Sequence, residues 1–171
     1  MNLFNKITGV LSLLVISMSV SAQSTIVDVA VGSKDHTTLV AAVKAAGLVE
    51  TLNSAGPFTV FAPVNTAFGK LPAGTVETLL KPENKEALAN ILTYHVVAGN
   101  IDAVAVVAAI NAGNGKASLV TVSGKKLVAS IEDGNVILTD EKGGKATVTA
   151  TDLKGSNGII HVIDSVLIPG S

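Results

Sequence analysis

In the first half of the chain the apolar residues recur every three or four positions, and in the second half they alternate. A segment with the helical period buries one stripe of a helix, whereas a segment with period two buries one face of a strand. The chain must therefore build a helical part and a sheet part and pack one on the other. In 37–53 the positions Leu39, Val40, Val43, Ala46, Leu48, Val49 and Leu52 form a single stripe. That spacing predicts an amphipathic helix, broken in two at Gly47 and capped by Asp35. A second helical block spans 75–93. Pro82 fits only a first turn, so the block divides into 76–80 and 83–92, with Leu88, Ile91 and Leu92 turned inward.

The segments 118–122, 126–131, 135–139, 146–152 and 159–168 are short, rich in Val, Ile and Thr, and separated by glycine, and they read as strands. Asp133-Gly134 is a two-residue hairpin turn of the kind that needs positive φ. It sets Ile131 opposite Val136 and Ala129 opposite Leu138. Gly143-Gly144 turns the next hairpin, and Gly113-Asn114-Gly115 marks an exposed loop. The segment 103–110 is apolar throughout, so its period leaves helix and strand both open. No low-complexity linker and no repeat divides the chain.

Ahead of this domain, residues 1–22 carry one lysine, Lys6, then the apolar run Val10 to Val20, then the small residues Ser21 and Ala22. This is the three-part pattern of a secretory signal. The run is shorter than the roughly 20 residues that span a bilayer as a helix, which makes an uncleaved anchor the lesser alternative. Cleavage after Ala22 would leave 23–171 as a single soluble domain, secreted or periplasmic, monomeric and with no membrane insertion. The chain has no cysteine, so it has no disulfide, no thiolate nucleophile and no site for lipoprotein-type acylation.

Composition and motif spacing exclude several functions. All 12 basic residues are lysine, against 13 carboxylates, and aromatics are 3% of the chain. Nucleic acid is not an expected partner, because phosphate and base recognition draws on a basic face with arginine forks and stacking rings. No G-x-S-x-G pentapeptide supports a serine hydrolase. Gly115-Lys116 and Gly124-Lys125 lack the Ser/Thr and the upstream glycine of a phosphate loop. His36, His95 and His161 have no second ligand three or four residues away, so no metal and no cofactor is expected. His36 reads as solvated, and His161 as a core or boundary histidine whose ring nitrogens are bonded to backbone. A carboxylate-pair glycosidase would be expected to stack sugars on aromatic rings, and there is no tryptophan. Asp102, Asp152 and Asp164 read instead as turn or capping residues.

The block Gly56 to Leu71, GPFTVFAPVNTAFGKL, is a strand (Phe58 to Phe61) stopped by Pro63, followed by a helical turn capped by Asn65 that buries Phe68. Phe61 and Phe68 are read as one aromatic cluster. This block resembles the first signature block of the fasciclin domain family. Asn157 to Pro169, NGIIHVIDSVLIP, is similar to the family's second block, and Tyr94-His95 between them matches its Tyr-His motif. The resemblance implies an α+β fold, a compact domain with a β-sheet wedge or sandwich packed beside a helical layer. It further implies a non-catalytic adhesion or interaction module that binds a protein or matrix partner. A small-ligand or polysaccharide-binding protein is the alternative, and it would need a pocket between the two layers with polar groups converging on it. In some animal members the Tyr-His motif and an Asp-Ile pair before the second block are proposed receptor contacts. They correspond here to Tyr94, His95, Asp152 and Leu153, with leucine in place of isoleucine. On the residues alone, Tyr94 is a half-buried ring with its hydroxyl at the rim. Asp152 ends a strand before a turn at 154–158, where its carboxylate can accept amides at Gly155 or Ser156.

Overall fold

The structure, a computed structural model, describes residues 24–54 and 56–170. Residues 1–22, read from the sequence as a secretory signal, lie outside the described residues. Helix α1 (Ile26–Gly32) opens on a capping box in which Thr25 and Asp28 satisfy each other's backbone amides. Helices α2 (Thr37–Ala46) and α3 (Val49–Asn53) are separated at Gly47, whose φ of 69° is the left-handed stop expected there. Helices α5 (Thr75–Leu79) and α6 (Lys85–Tyr94) flank a short 3-10 turn that begins at Pro82. Leu88 and Leu92 on α6 are buried, and Ile91 is half-buried.

Two capping expectations are corrected. Asp35 caps nothing, because Lys34–His36 form a 3-10 turn ahead of α2 and the residue before α2 is His36. Asn65 begins α4 (Asn65–Gly69) and does not cap it. Its side chain reaches across to α2, accepting from Thr38 N at 3.0 Å and donating to Lys34 O at 3.0 Å. The cap of α2 is therefore supplied by a residue 27 positions away.

Strand β1 (Phe58–Pro63) pairs in parallel with β7 (Gly158–Ile163) and antiparallel with β2 (Val96–Ala98). After helix α7 (Ala103–Ala112), strands β3 (Lys116–Val120), β4 (Lys126–Glu132), β5 (Asn135–Thr139) and β6 (Lys145–Gly155) follow as antiparallel hairpins leading to β7. Sheet order is β2-β1-β7-β6-β5-β4-β3. Its two ends meet where Val97 bridges Thr121 and Val122 N donates to Val96 O at 2.7 Å, so the sheet closes into a near-barrel wedge. Asp133 and Gly134 take positive φ, and the pairs Ile131–Val136 and Ala129–Leu138 form as expected. The segment left open in the sequence is α7, whose cap is Asp102, accepting from Ala105 N at 2.8 Å.

The central pair β1 and β7 is buried on both faces, as parallel strands usually are. Alternate residues feed two cores. Val60, Ala62 and Ile160 join Leu39, Val43, Phe68 and Leu92 under the helical layer. Phe61 and Ile163 join Tyr94, Leu127 and Leu138 in the second core. Phe61 and Phe68 thus belong to different cores and not to one aromatic cluster. Gly158 stands opposite Phe58, where a Cβ would run into the Phe58 carbonyl, and Asn157 beside it accepts from Ile26 N at 3.0 Å and donates to Leu52 O and Ser54 O.

Candidate functional site

The four site candidates divide by burial. Tyr94 closes α6 and is 0% exposed, a correction to the rim position expected for it. Its hydroxyl donates to Lys126 O at 2.9 Å and accepts from Glu141 N at 3.3 Å, tying α6 to the β4 start and the β5–β6 turn. Burial first, and the nearby Glu141 and Asp140 charges, push its pKa up to about 12, so it is a neutral bonded phenol.

His95 is 2% exposed. Its Nδ1 donates to Ile91 O at 2.7 Å, and its Nε2 accepts from Leu167 N at 2.9 Å, which fixes the neutral Nδ1–H tautomer. Burial lowers its pKa to about 4. The tail fastened by this bond is also held where Ile168 N meets Asp140 Oδ2 at 3.0 Å, and Lys125 Nζ donates to Gly170 O. Neither Tyr94 nor His95 presents a side chain at the surface.

Asp152 and Leu153 lie inside β6, which continues to Gly155, and not at a strand end. The register of β6 against β7 slips between Val148 and Ala150 and again between Ala150 and Leu153, and Asp152 takes φ +60° in the second irregularity. This bulge re-aims the carboxylate. It accepts from Ala103 N at 3.0 Å, at the start of α7, in place of the expected amides at Gly155 or Ser156. His161, buried at 1% exposed, supports the same corner. Its Nδ1 takes the Asp152 amide at 3.4 Å and its Nε2 donates to Ile101 O at 2.8 Å. Removing the carboxylate frees an amide in the first turn of α7 and leaves an alanine in the left-handed region. Asp152→Ala is therefore expected to lower stability by about 2 kcal/mol in a chemical melt, and Asp152→Gly to recover the backbone part of the loss.

His36 overturns its solvated reading. It is 4% exposed, with Nδ1 at 2.8 Å from Ser33 Oγ and Nε2 without a hydrogen-bond partner among the described residues. Burial lowers its pKa against the opposing pulls of the Ala62 backbone and, more weakly, the Asp35 charge. Asp164, like Asp102, is a backbone acceptor, taking Thr147 N at 2.8 Å.

Leu153 alone of the four candidates has an exposed side chain, at 39%, while the carboxylate of its neighbour Asp152 is bonded to the first turn of α7. That helix carries no charged residue. It buries Val106 and Ile110 and leaves Val104 74% exposed, with Ala105, Ala108 and Ala112 also outward. A surface helix normally puts charge on its outer face, so an uncharged one marks a surface kept free of it. Its signal in the sequence was the same uniform apolarity that hid its secondary structure. The cavities between the helical layer and the sheet expose apolar surface, although Lys44, Thr51 and Thr93 border the first, Thr75 the second and His95 both. Among the described residues no group of three or more His, Asp or Glu is placed to hold a metal ion, and no helix is long and apolar enough to cross a membrane.

A family model, that of the fasciclin domain, matches residues 34–169. The chain belongs to the fasciclin domain family. This fasciclin domain is 53% identical over 145 residues to Protein sll1483 of Synechocystis sp., covering 85% of this chain and 73% of that one. It is 40% identical to the transforming growth factor-beta-induced protein ig-h3 of Sus scrofa, covering 85% of this chain but only 19% of that longer protein. Among solved structures, a domain pair from the insect cell adhesion molecule fasciclin I superposes with a TM-score of 0.58 at 23% identity. That match covers 74% of this chain and 42% of the pair, which shows the shared fold.

Proposed function

We propose that this fasciclin domain is a secreted or periplasmic, non-catalytic adhesion module, and that it binds a protein partner through the outer face of α7. The observation that carries this reading is the uncharged outer face of α7, with Val104 74% exposed, on a helix whose start is held by Asp152 and His161. The cell adhesion molecule that shares the fold supports it at the level of the family. The polysaccharide alternative finds apolar walls in the inter-layer cavities and would have to use the polar cleft of about 430 Å³ lined by Asn100, Asp102, Lys154, Ser156 and Asn157.

The test is capture of secreted or envelope proteins on the domain 23–171, followed by affinity measurement with the partner found. Val104→Glu and Ala108→Glu are each expected to weaken binding by about tenfold or more, because a charge buried unpaired at an interface costs several kcal/mol. Melting temperatures should stay near the wild-type value, since both side chains are solvated in the free domain. Undiminished affinity in both variants would place the contact elsewhere.

A further inference from the structure

Between α4, α5, α6 and the tail segment 166–168 lies a cavity of about 160 Å³. Phe68, Leu88 and Leu92 form its buried side, and Leu79, Ile91 and Ile168, all half-buried, form the side nearer solvent. The surface it exposes is apolar, although Thr75 and His95 are among its lining residues. The one ring in the wall that could titrate, His95, has both nitrogens engaged, by Ile91 O and Leu167 N, and is held neutral by burial. No lysine or carboxylate borders the space.

These properties define what could enter. An ion would lose its hydration with nothing to replace it, and a hydroxyl or amide would be left without a partner. A neutral hydrocarbon loses nothing of that kind and gains contact with the cavity wall. Size sets the upper limit, since an engineered apolar cavity of about 150 Å³, lined by the same residue types, stays dry and takes up benzene or xenon. Half-buried residues on the outer side give a route in that does not require the domain to unfold.

We infer that this cavity is a binding site for a small neutral hydrocarbon group, the size of a benzene ring or a short alkyl chain. The site shares no residue with α7 or Leu153, so it stands or falls independently of the adhesion reading.

The test is a benzene titration of the domain 23–171 followed by methyl NMR. Saturable shifts are expected at Leu79, Ile91, Val166 and Ile168, with the methyls of Val104 and Leu153 unmoved, and the melting temperature should rise with benzene concentration. Benzoate, the same ring with a charge, should give no such shifts at equal concentration. Ile91→Phe and, separately, Leu79→Phe place a ring in the space and should abolish the benzene shifts while melting cooperatively. Where one of these variants does not fold, the other decides. The inference is overturned if the wild type shows no saturable shift up to the solubility limit of benzene, if benzoate binds as well as benzene, or if a folded variant carrying the added ring keeps the shifts.

Discussion

Phe61→Ala is expected to remove about 3–5 kcal/mol of folding stability, a large part of the 5–15 kcal/mol that holds a domain of this kind together. Phe61 sits on β1, 1% exposed, between parallel β7 and antiparallel β2. Its amide donates to His95 O at 2.8 Å, and its ring stacks on His161 at 5.5 Å between centroids, with 26° between planes. Truncation would open a void against Tyr94, Leu127 and Ile163, residues fixed by the closed sheet and unable to collapse into it. Phe68→Ala should fall at the lower end of the same range, because Phe68 lies on the short helix α4 and already borders a cavity on one side. The check is chemical denaturation followed by circular dichroism, there being no tryptophan to report. An unchanged midpoint for Phe61→Ala would mean that β1 is not central to the fold.

What could be read in advance follows how local each determinant is. The β4–β5 hairpin was legible to the residue, because Asp133-Gly134 sets the turn and the alternation on either side sets the register. The break at Gly47 and the division at Pro82 were legible for the same reason, a backbone preference acting within one turn. Helix α7 was not, since a segment apolar on every face has no period to read. His36 was misread because its burial is imposed from a distance: the side chain of Asn65, 31 residues on, pulls the Lys34 carbonyl onto α4. Tyr94 is buried because the sheet curls until β2 meets the end of β3, a closure that neither strand signals alone. Asp152 looked like a strand end because a turn was expected at 154–158, whereas the strand runs on to Gly155 through a bulge that shifts the alternation of 146–151. The motif residues Tyr94 and His95 were visible as a pair, but whether a conspicuous pair faces solvent or core is decided by elements up to 72 positions away, such as Leu167.

Acid should unfold this domain through His95. The folded protein binds a proton at this ring only near pH 4, whereas the unfolded chain does so at about 6.5. Above pH 6.5 the ring is neutral in both states and adds no pH dependence. Between 6.5 and 4 the unfolded chain takes up a proton that the folded chain refuses, so stability falls as pH falls, and below 4 the penalty levels out at about 3 kcal/mol. The physical cause is specific, since a proton on Nε2 would turn the acceptor of Leu167 N into a second donor and place a charge in a fully buried site. His36, also lowered by burial, acts in the same direction at the junction of α1 and α2. Carboxylates begin to titrate near pH 4 as well, so the measurement must be a difference. Unfolding free energies at pH 7 and pH 4.5 should diverge less in His95→Gln, which has no ring to protonate, than in the wild type. The Gln side chain can still accept the Leu167 amide, so the variant should remain folded at pH 7. A ring resonance of His95 that does not titrate between pH 7 and 5 is the direct sign of the lowered pKa, and equal pH slopes in wild type and variant would assign the acid lability to other groups.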